Sequence, residues 1–249
     1  MPPYAPDRRQ LLAATALIAL TAQGRTPAKA RSVHGALPWS AHEAYPPTRV
    51  SPGGWLFFTA DEAATIEAMA NRLIPADDLG PGGGEAGCAV FLDRQLMGPY
   101  GSSAWLYMQG PFAKGTPQQG LQDEYPPATR YRAALDAIAA HCREHFDGRL
   151  FHALSPQDQD ALLTAIDSGR SGITGLDEKG FFEMLLQNMM EGYFADPIYG
   201  GNRDMAGWKL VGFPGTRYDY REMLARPNQP YNEPPVGLTG RPAWNGSPA

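Results

Sequence analysis

Two histidines, His141 and His145, have the spacing with which a helix presents two imidazoles to one metal ion. Zinc proteases that use this spacing place a glutamate directly after the first histidine, where it acts as the general base. Here Cys142 and Arg143 follow His141, and the glutamate comes directly before His145. Because the acid is misplaced and an adjacent arginine disfavours a dication, the pattern indicates a histidine pair at a helix surface.

The two cysteines, Cys88 and Cys142, offer a second kind of chemistry. In an oxidising compartment they could form a disulfide. Each also falls near the apolar face of a predicted helix, where cysteine is commonly a small buried hydrophobe, and the sequence leaves both possibilities open. Two thiolates are too few for an iron–sulfur cluster held by this chain alone.

No other set of residues indicates catalysis or cofactor binding. The Gly-x-Ser-x-Gly motif of serine hydrolases and the Cys-x-x-Cys-His motif of haem attachment are absent, and the glycine-rich stretch 80–87 lacks the Lys-Ser or Lys-Thr of a phosphate loop. A net charge of −5 without a basic stripe makes nucleic acid an unexpected partner. We therefore predict no catalytic, cofactor-binding or metal-binding residue in this chain.

The stretch 191–215, EGYFADPIYGGNRDMAGWKLVGFPG, combines six glycines with five aromatic residues. So much glycine disfavours a long helix or strand, while so many rings are unusual in a solvated linker. We predict an ordered, tightly turned loop pressed against a surface. That surface is the chain's own core, a partner protein or a small molecule, and the residues alone leave these alternatives open.

Individual residues of this loop are predicted to shape it or to dock a partner. The Asp-Pro pair is typical of a turn, and the Gly-Gly-Asn that follows suits positive φ or close backbone approach. Arg203 could pair with Asp204, with Asp196 or with a partner's carboxylate. The predicted set is Tyr193, Asp196, Pro197, Tyr199, Gly200, Gly201, Asn202, Arg203, Asp204, Trp208, Phe213 and Pro214.

The start of the chain has the pattern of a cleaved export signal. Arg8 and Arg9 stand directly before a mildly apolar run at 11–22, which is too short to span a bilayer. Ala28 and Ala30 then supply the small-x-small pattern of a signal peptidase site, with cleavage expected after Ala30. The paired arginines indicate the twin-arginine type, which carries folded proteins. An uncleaved anchor or an amphipathic helix is the alternative.

The elements that must position these residues are predicted to be helices. Thr59-Ala-Asp-Glu62 is a capping box that opens a helix ending before Pro75, and Ser155 with Pro156 opens another. No segment alternates apolar and polar residues with the period of a strand. The predicted helices are 60–74, 88–97, 128–146, 155–168 and 176–190, with a short helical turn at 216–223.

We therefore expect a mainly α fold, an irregular helical domain with long ordered Gly/Pro/aromatic loops and extended N- and C-terminal arms. Its predicted regions are a twin-arginine signal peptide at 1–30, an extended arm at 31–58, the helical domain at 59–225 and a Pro-rich tail at 226–249.

Five motifs follow one another along the chain. They are DRRQLLAA, FTADEAATIEAMANRLIPADDLGPGG, YGSSAWLYMQGPF, LSPQDQDALL and, above all, FFEMLLQNMMEGYFADPIYGGNRDMAGWKLVGFPG. In this order they resemble the gluconate 2-dehydrogenase subunit 3 (gamma subunit) family. The resemblance covers most of residues 57–220, and the last motif is long enough to be specific.

The resemblance implies a non-catalytic small subunit of an FAD-dependent dehydrogenase that oxidises the CH–OH group of a sugar, sugar acid or polyol. A flavoprotein large subunit would bind FAD, and a multihaem cytochrome c subunit with haem c would pass electrons to quinone. This chain would escort the flavoprotein through the twin-arginine translocase, as its chaperone, to the periplasm. There the complex would lie at the inner membrane, which this chain would reach through its partners only.

Two other classes remain open on the residues alone. One is a self-sufficient periplasmic enzyme, hydrolytic or oxidoreductive. The other is a free-standing helical binding protein.

Overall fold

The structure is a computed structural model that describes residues 50, 53–113, 115–119, 124–217, 220–231 and 234–238. The predicted export signal, most of the predicted arm and residues 239–249 of the predicted tail lie outside these residues. The described part is helical and contains isolated β-bridges but no strand, so the predicted mainly α class is confirmed. None of its helices is both long and apolar enough for a bilayer crossing.

The first helix, α1 (Ala60–Leu73), begins at the predicted capping box. The Thr59 backbone N–H donates to Glu62 Oε2 over 2.7 Å, and the Thr59 hydroxyl accepts from the Glu62 N–H. The helix ends before Pro75, because the residue that precedes a proline avoids the helical conformation. Its buried face has the predicted helical period and consists of Ala63, Thr65, Ile66, Met69 and Ala70.

The next three helices also follow the sequence patterns. They are α2 (Cys88–Met97), α3 (Pro127–His145) and α4 (Pro156–Asp167). At the start of α4 the Ser155 hydroxyl accepts from the Asp158 N–H over 3.2 Å. Proline is favoured directly after such a cap, since the N–H it lacks would have no partner within the helix.

The helix α5 (Glu178–Phe194) contacts α1, α2, α3 and α4 and lies at the centre of the fold. It continues past Met190, its predicted end. Gly192, which had indicated a loop, is buried where a Cβ would lie 3.2 Å from the Cα of Cys88. Close packing of α5 on α2 therefore favours glycine here and outweighs the roughly 1 kcal/mol that glycine costs inside a helix.

The stretch 191–215 is thus more regular than predicted. After α5 it contains two 3₁₀ turns, Pro197–Tyr199 and Arg203–Met205, and the short helix α6 (Ala206–Val211). The last helical turn, expected at 216–223, is α7 (Arg221–Leu224).

The core lies where α1 to α4 meet α5. Tyr131 is wholly buried in it, and its hydroxyl donates to Asn188 Oδ1 over 2.9 Å. The same oxygen accepts from the Tyr100 hydroxyl at 3.1 Å, so that two phenols share one amide. Apolar side chains that are almost wholly buried fill the rest, among them Ile66, Met69, Leu92, Ile138, Ile166, Leu185 and Met189.

A buried carboxylate on α2 fixes the described end of the predicted arm. Asp93 accepts the backbone N–H groups of Leu56, Phe57 and Phe58 over 2.9–3.2 Å, and Arg94 pairs with the same carboxylate. A charge can be buried when its lone pairs are satisfied in this way. The sequence pattern did not indicate this attachment.

Candidate docking site

The segment that follows α5, residues 195–215, folds back on that helix; we call it the signature loop. A Cβ on Gly201 would overlap the carbonyl oxygen of Gly192, and a Cβ on Gly207 would overlap that of Tyr193. Because the obstacle is backbone in both cases, no side-chain movement could relieve the overlap. The structure therefore places two glycines where only glycine fits.

Asn202 connects the two ends of the loop from inside. It is wholly buried and has φ 44° and ψ 45°, in the left-handed region that asparagine tolerates better than most residues. Its Nδ2 donates to the carbonyl of Ala195 over 2.8 Å, and its Oδ1 accepts from the N–H of Gly207 over 2.8 Å. Both polar groups are thus satisfied within the chain.

The aromatic residues of the predicted set divide into two groups. Tyr193 and Trp208 are only 3% and 4% exposed, and each donates to a backbone carbonyl, of Pro81 at 2.9 Å and of Phe194 at 2.7 Å. Tyr199 is 46% exposed and Phe213 is 45% exposed. Two rings therefore belong to the scaffold, and two are accessible to a partner.

Asp196 and Pro214 join the signature loop to the described part of the tail. Asp196 Oδ1 accepts from the Ile198 N–H over 3.0 Å, and its Oδ2 accepts from the Leu238 N–H over 2.6 Å. The N–H of Val236 donates to the carbonyl of Pro214 over 3.2 Å. These contacts give the acid and the proline a structural role.

Arg203 is fixed by its backbone, whose N–H donates to the carbonyl of Ala86 over 3.0 Å. Its side chain lies against Gly87, where a Cβ would be 2.9 Å from Nε. The sequence offered Asp196 and Asp204 as ion-pair partners, but Arg203 pairs with no acid among the described residues. Its guanidinium therefore remains exposed and unpaired in that part of the chain.

The signature loop borders a cleft of about 620 Å³, whose lining includes Arg203 and Asp204. Its apolar lining includes Val50, Val90 and Ile198. A neighbouring cleft of about 560 Å³ is lined by Phe194 and Tyr199 and shares Asp196 with the first. Four glycines also line the larger cleft, namely Gly53, Gly200, Gly201 and Gly237.

Several apolar side chains in the signature loop and at the end of α5 are exposed, and we call them the apolar face. Phe213 packs edge-on against Trp208 at 5.2 Å between ring centroids. Trp208 in turn donates to Phe194, which shares a cleft with Tyr199. Met190 lies one helical turn before Phe194. The apolar face consists of Met190, Phe194, Tyr199, Leu210, Val211 and Phe213.

Cys88 and Cys142 are both buried and free, so the disulfide that the sequence left open is not formed in this structure. Burial raises the pKa of the Cys88 thiol to about 12 and that of Cys142 to about 11. Both are therefore neutral near pH 7, whereas a reactive cysteine must be a thiolate.

The histidine pair is stacked at the surface of α3, with 4.2 Å between the ring centroids of His141 and His145. Burial, together with the neighbouring His145, lowers the pKa of His141. Within the described ranges, no group of three or more His, Cys, Asp or Glu side chains could hold a metal ion.

The sequence pattern did not predict a second exposed apolar segment. Trp105 and Tyr107 are 83% and 82% exposed, and Leu106 and Phe112 are also exposed. The motif YGSSAWLYMQGPF marked this segment, but periodicity carries no information on which side of a loop faces solvent.

Residues 60–215 match the family described as gluconate 2-dehydrogenase subunit 3. The matched region runs from the start of α1 to the end of the signature loop and covers more than half of the 249-residue chain. The chain therefore belongs to the gluconate 2-dehydrogenase subunit 3 family. No curated protein and no solved structure matches it.

Proposed function

We propose that this protein is the non-catalytic small subunit of an exported FAD-dependent dehydrogenase that oxidises a sugar, a sugar acid or a polyol. The family is named for one subunit of gluconate 2-dehydrogenase, an enzyme whose name gives a sugar acid as its substrate. FAD would be bound by the flavoprotein large subunit, and haem c by a cytochrome subunit that accepts the electrons. The small subunit would act by contact with the flavoprotein and would stabilise it.

The observation that carries this proposal is the apolar face. The polar side chains beneath it, those of Asn202, Trp208 and Tyr193, are paired within the chain, so its scaffold needs no partner to form. The rings of Tyr199 and Phe213 nevertheless stay in water. Contiguous exposed apolar side chains mark interaction surfaces, and the interfaces of permanent complexes are the more hydrophobic ones.

The chain would also escort the flavoprotein out of the cytoplasm. Support comes from Arg8 and Arg9 before a short apolar run, and from Ala28 and Ala30 at the expected cleavage site. A route that carries folded proteins suits a flavoprotein that receives FAD before export. The complex would then reside in the periplasm at the inner membrane, held there through its partners.

The escort role is tested by co-expressing the full chain with the flavoprotein large subunit. With Arg8→Lys and Arg9→Lys together, we expect active, FAD-loaded flavoprotein to accumulate in the cytoplasm, as measured by dye reduction in the separated fractions. Arg25→Lys makes the same kind of change after the apolar run, outside the paired arginines, and should leave export intact. Active flavoprotein in the periplasm with the double variant would contradict the escort role.

A further inference from the structure

We infer that residues 105–112, which we call the aromatic loop, insert their exposed rings into the headgroup region of a lipid bilayer. The chain then touches the membrane itself, in addition to the attachment through partners proposed above. The inference rests on the proposed function, under which the complex lies at the inner membrane. It requires amphipathic side chains that project from the protein, a charge pattern that lipid phosphates do not repel, and a firm base beneath the loop.

The side chains of the aromatic loop project away from the protein. Trp105 and Tyr107 are 83% and 82% exposed, and Leu106 between them is 55% exposed. Within the described residues, neither the indole N–H of Trp105 nor the hydroxyl of Tyr107 makes a hydrogen bond, whereas the scaffold residues Trp208 and Tyr193 both donate to backbone carbonyls. Rings that combine an apolar body with a free polar group are enriched where a membrane meets water.

The surroundings of these rings favour lipid over a protein partner. Interfaces between proteins are matched in shape, and on the apolar face Tyr199 lines a cleft while Phe213 packs against Trp208. The aromatic loop lines neither of the two clefts beside the signature loop. A fluid bilayer needs no matching shape, so side chains that project singly can enter it and bury their apolar area there.

The charge of this part of the chain suits a surface of lipid phosphates. Residues 95–122 contain no Asp or Glu, although the whole chain has 26 acidic residues and a net charge of −5. The only charged residue among them is Lys114, and a lysine near an anionic membrane surface contributes about 1 kcal/mol of attraction. This stretch therefore has no charge of its own that the phosphates would repel.

The base of the loop is fixed, and its tip is solvated. The Tyr100 hydroxyl donates to Asn188 on α5 over 3.1 Å, and the Leu106 N–H donates to the carbonyl of Ser103 over 2.9 Å. Residues 107–113 take part in no backbone–backbone hydrogen bond within the described part of the chain. Unpaired backbone groups are costly in the hydrocarbon core, where no water can pair with them. The loop therefore reaches the headgroups and goes no deeper.

The test attaches NBD, a dye whose emission depends on its surroundings, to the full chain at Gln109→Cys in the aromatic loop. Cys88 and Cys142 are buried, so the dye couples to the new thiol alone. With vesicles of phosphatidylethanolamine and phosphatidylglycerol, we expect the emission to rise and to move to shorter wavelength, because the dye leaves water. Gln157→Cys, the same change at an exposed position on α4, should show no shift.

The dye reports only on its own position, so a vesicle contact made elsewhere in the chain, for example by the predicted export signal, does not mimic the expected result. Trp105→Ala and Tyr107→Ala, introduced together into the Gln109→Cys chain, should abolish the shift. Thermal unfolding of this variant should match that of its parent, because both rings are exposed. No shift in the parent, a shift that persists without the two rings, or an equal shift at Gln157→Cys would overturn the inference.

A protein partner in place of lipid gives a different pattern. Purified flavoprotein without vesicles should leave the emission at Gln109→Cys unchanged, and a shift with flavoprotein alone would overturn the inference. The variant that lacks both rings should capture as much flavoprotein as the wild type. Failure of the wild-type chain to capture flavoprotein would count against the proposed function, and the vesicle measurement, which contains no flavoprotein, keeps the two failures distinguishable.

Discussion

Asn202 is the residue on which the conformation of the signature loop most depends. It is wholly buried, and one amide side chain satisfies a carbonyl at the end of α5 and an N–H at the start of α6. It also occupies a left-handed conformation that asparagine adopts at lower cost than alanine. The side-chain hydrogen bonds and the backbone conformation of Asn202 therefore contribute separately to the stability of the protein. Two substitutions can distinguish the two contributions.

Asn202→Ala removes both hydrogen bonds. It also places alanine at positive φ, where no side-chain hydrogen bond compensates for the strain. At about 1 kcal/mol for each hydrogen bond and about 1 kcal/mol for the backbone, we expect a loss of roughly 3 kcal/mol in the free energy of unfolding, measured in urea. Asn202→Gly loses the hydrogen bonds but accepts the backbone conformation, so it should lose roughly 1 kcal/mol less. Equal losses for the two variants would contradict the backbone contribution.

The thiols give a second prediction at this scale. Because burial raises both thiol pKa values, to about 12 for Cys88 and about 11 for Cys142, neither is ionised at pH 8, where a free cysteine is partly thiolate. We expect the native protein to leave a thiol reagent such as DTNB unreacted at pH 8, and the urea-unfolded protein to react at both cysteines. No reaction after unfolding would show that the protein in solution contains the disulfide.

At the scale of elements, the close approach of the signature loop to α5 explains the glycines. A Cβ on Gly201 would overlap backbone of α5, whereas Gly212 has open space around it and needs glycine only for its φ of 68°. Glycine therefore serves two separate purposes within one loop.

We expect Gly201→Ala to lower the free energy of unfolding by about 3 kcal/mol or more, because the loop must move off α5. Gly212→Ala should cost only about 1 kcal/mol, the backbone penalty alone. Denaturant melts of both variants measure the difference. A Gly201→Ala protein as stable as Gly212→Ala would mean that the loop can shift without cost.

The attachment of residues 56–58 to α2 depends on Asp93. Asp93→Asn keeps the shape but removes the charge that pairs with Arg94 and one acceptor oxygen. We expect a loss of about 3 kcal/mol on thermal or urea unfolding, since the change breaks a buried, hydrogen-bonded ion pair. Asp136→Asn, the same change at an exposed site on α3, should cost less than about 0.5 kcal/mol.

At the scale of the whole molecule, the apolar face is the feature expected of a subunit and not of a self-contained protein. Side chains such as Tyr199 and Phe213 expose nearly half of their surface although the loop beneath them is rigidly hydrogen-bonded. The helical core is complete without them.

Replacing Tyr199 and Phe213 together by Ala should therefore lower the melting temperature of the purified chain only modestly, through the lost contact of Phe213 with Trp208. It should lower the flavoprotein captured on co-expression about tenfold or more, because aromatic residues often carry much of the binding energy of an interface. Leu79→Ala, at a still more exposed apolar residue outside the apolar face, serves as the control. Undiminished capture by the double variant would exclude the apolar face as the docking surface.

Local patterns predicted most of the helical domain. The capping box at Thr59, the Ser155-Pro156 start and the apolar periods placed α1 to α4 within a residue or two of their observed ends. The same patterns predicted an end of α5 that lies before the observed one. Glycine usually indicates a loop, and only the contact of Gly192 with α2 explains its place inside the helix. The candidate site was located by composition, but which of its rings face solvent was not predictable.

By itself the sequence determined α1 to α4, the family and the approximate position of the signature loop, because capping, periodicity and motif order are encoded by neighbouring residues. Only the tertiary structure decided that Tyr193 and Trp208 are scaffold, that Tyr199 and Phe213 are exposed, and that Arg203 forms no ion pair among the described residues. These properties depend on contacts between segments far apart in the chain, such as α2 with the signature loop, and no local pattern records such contacts.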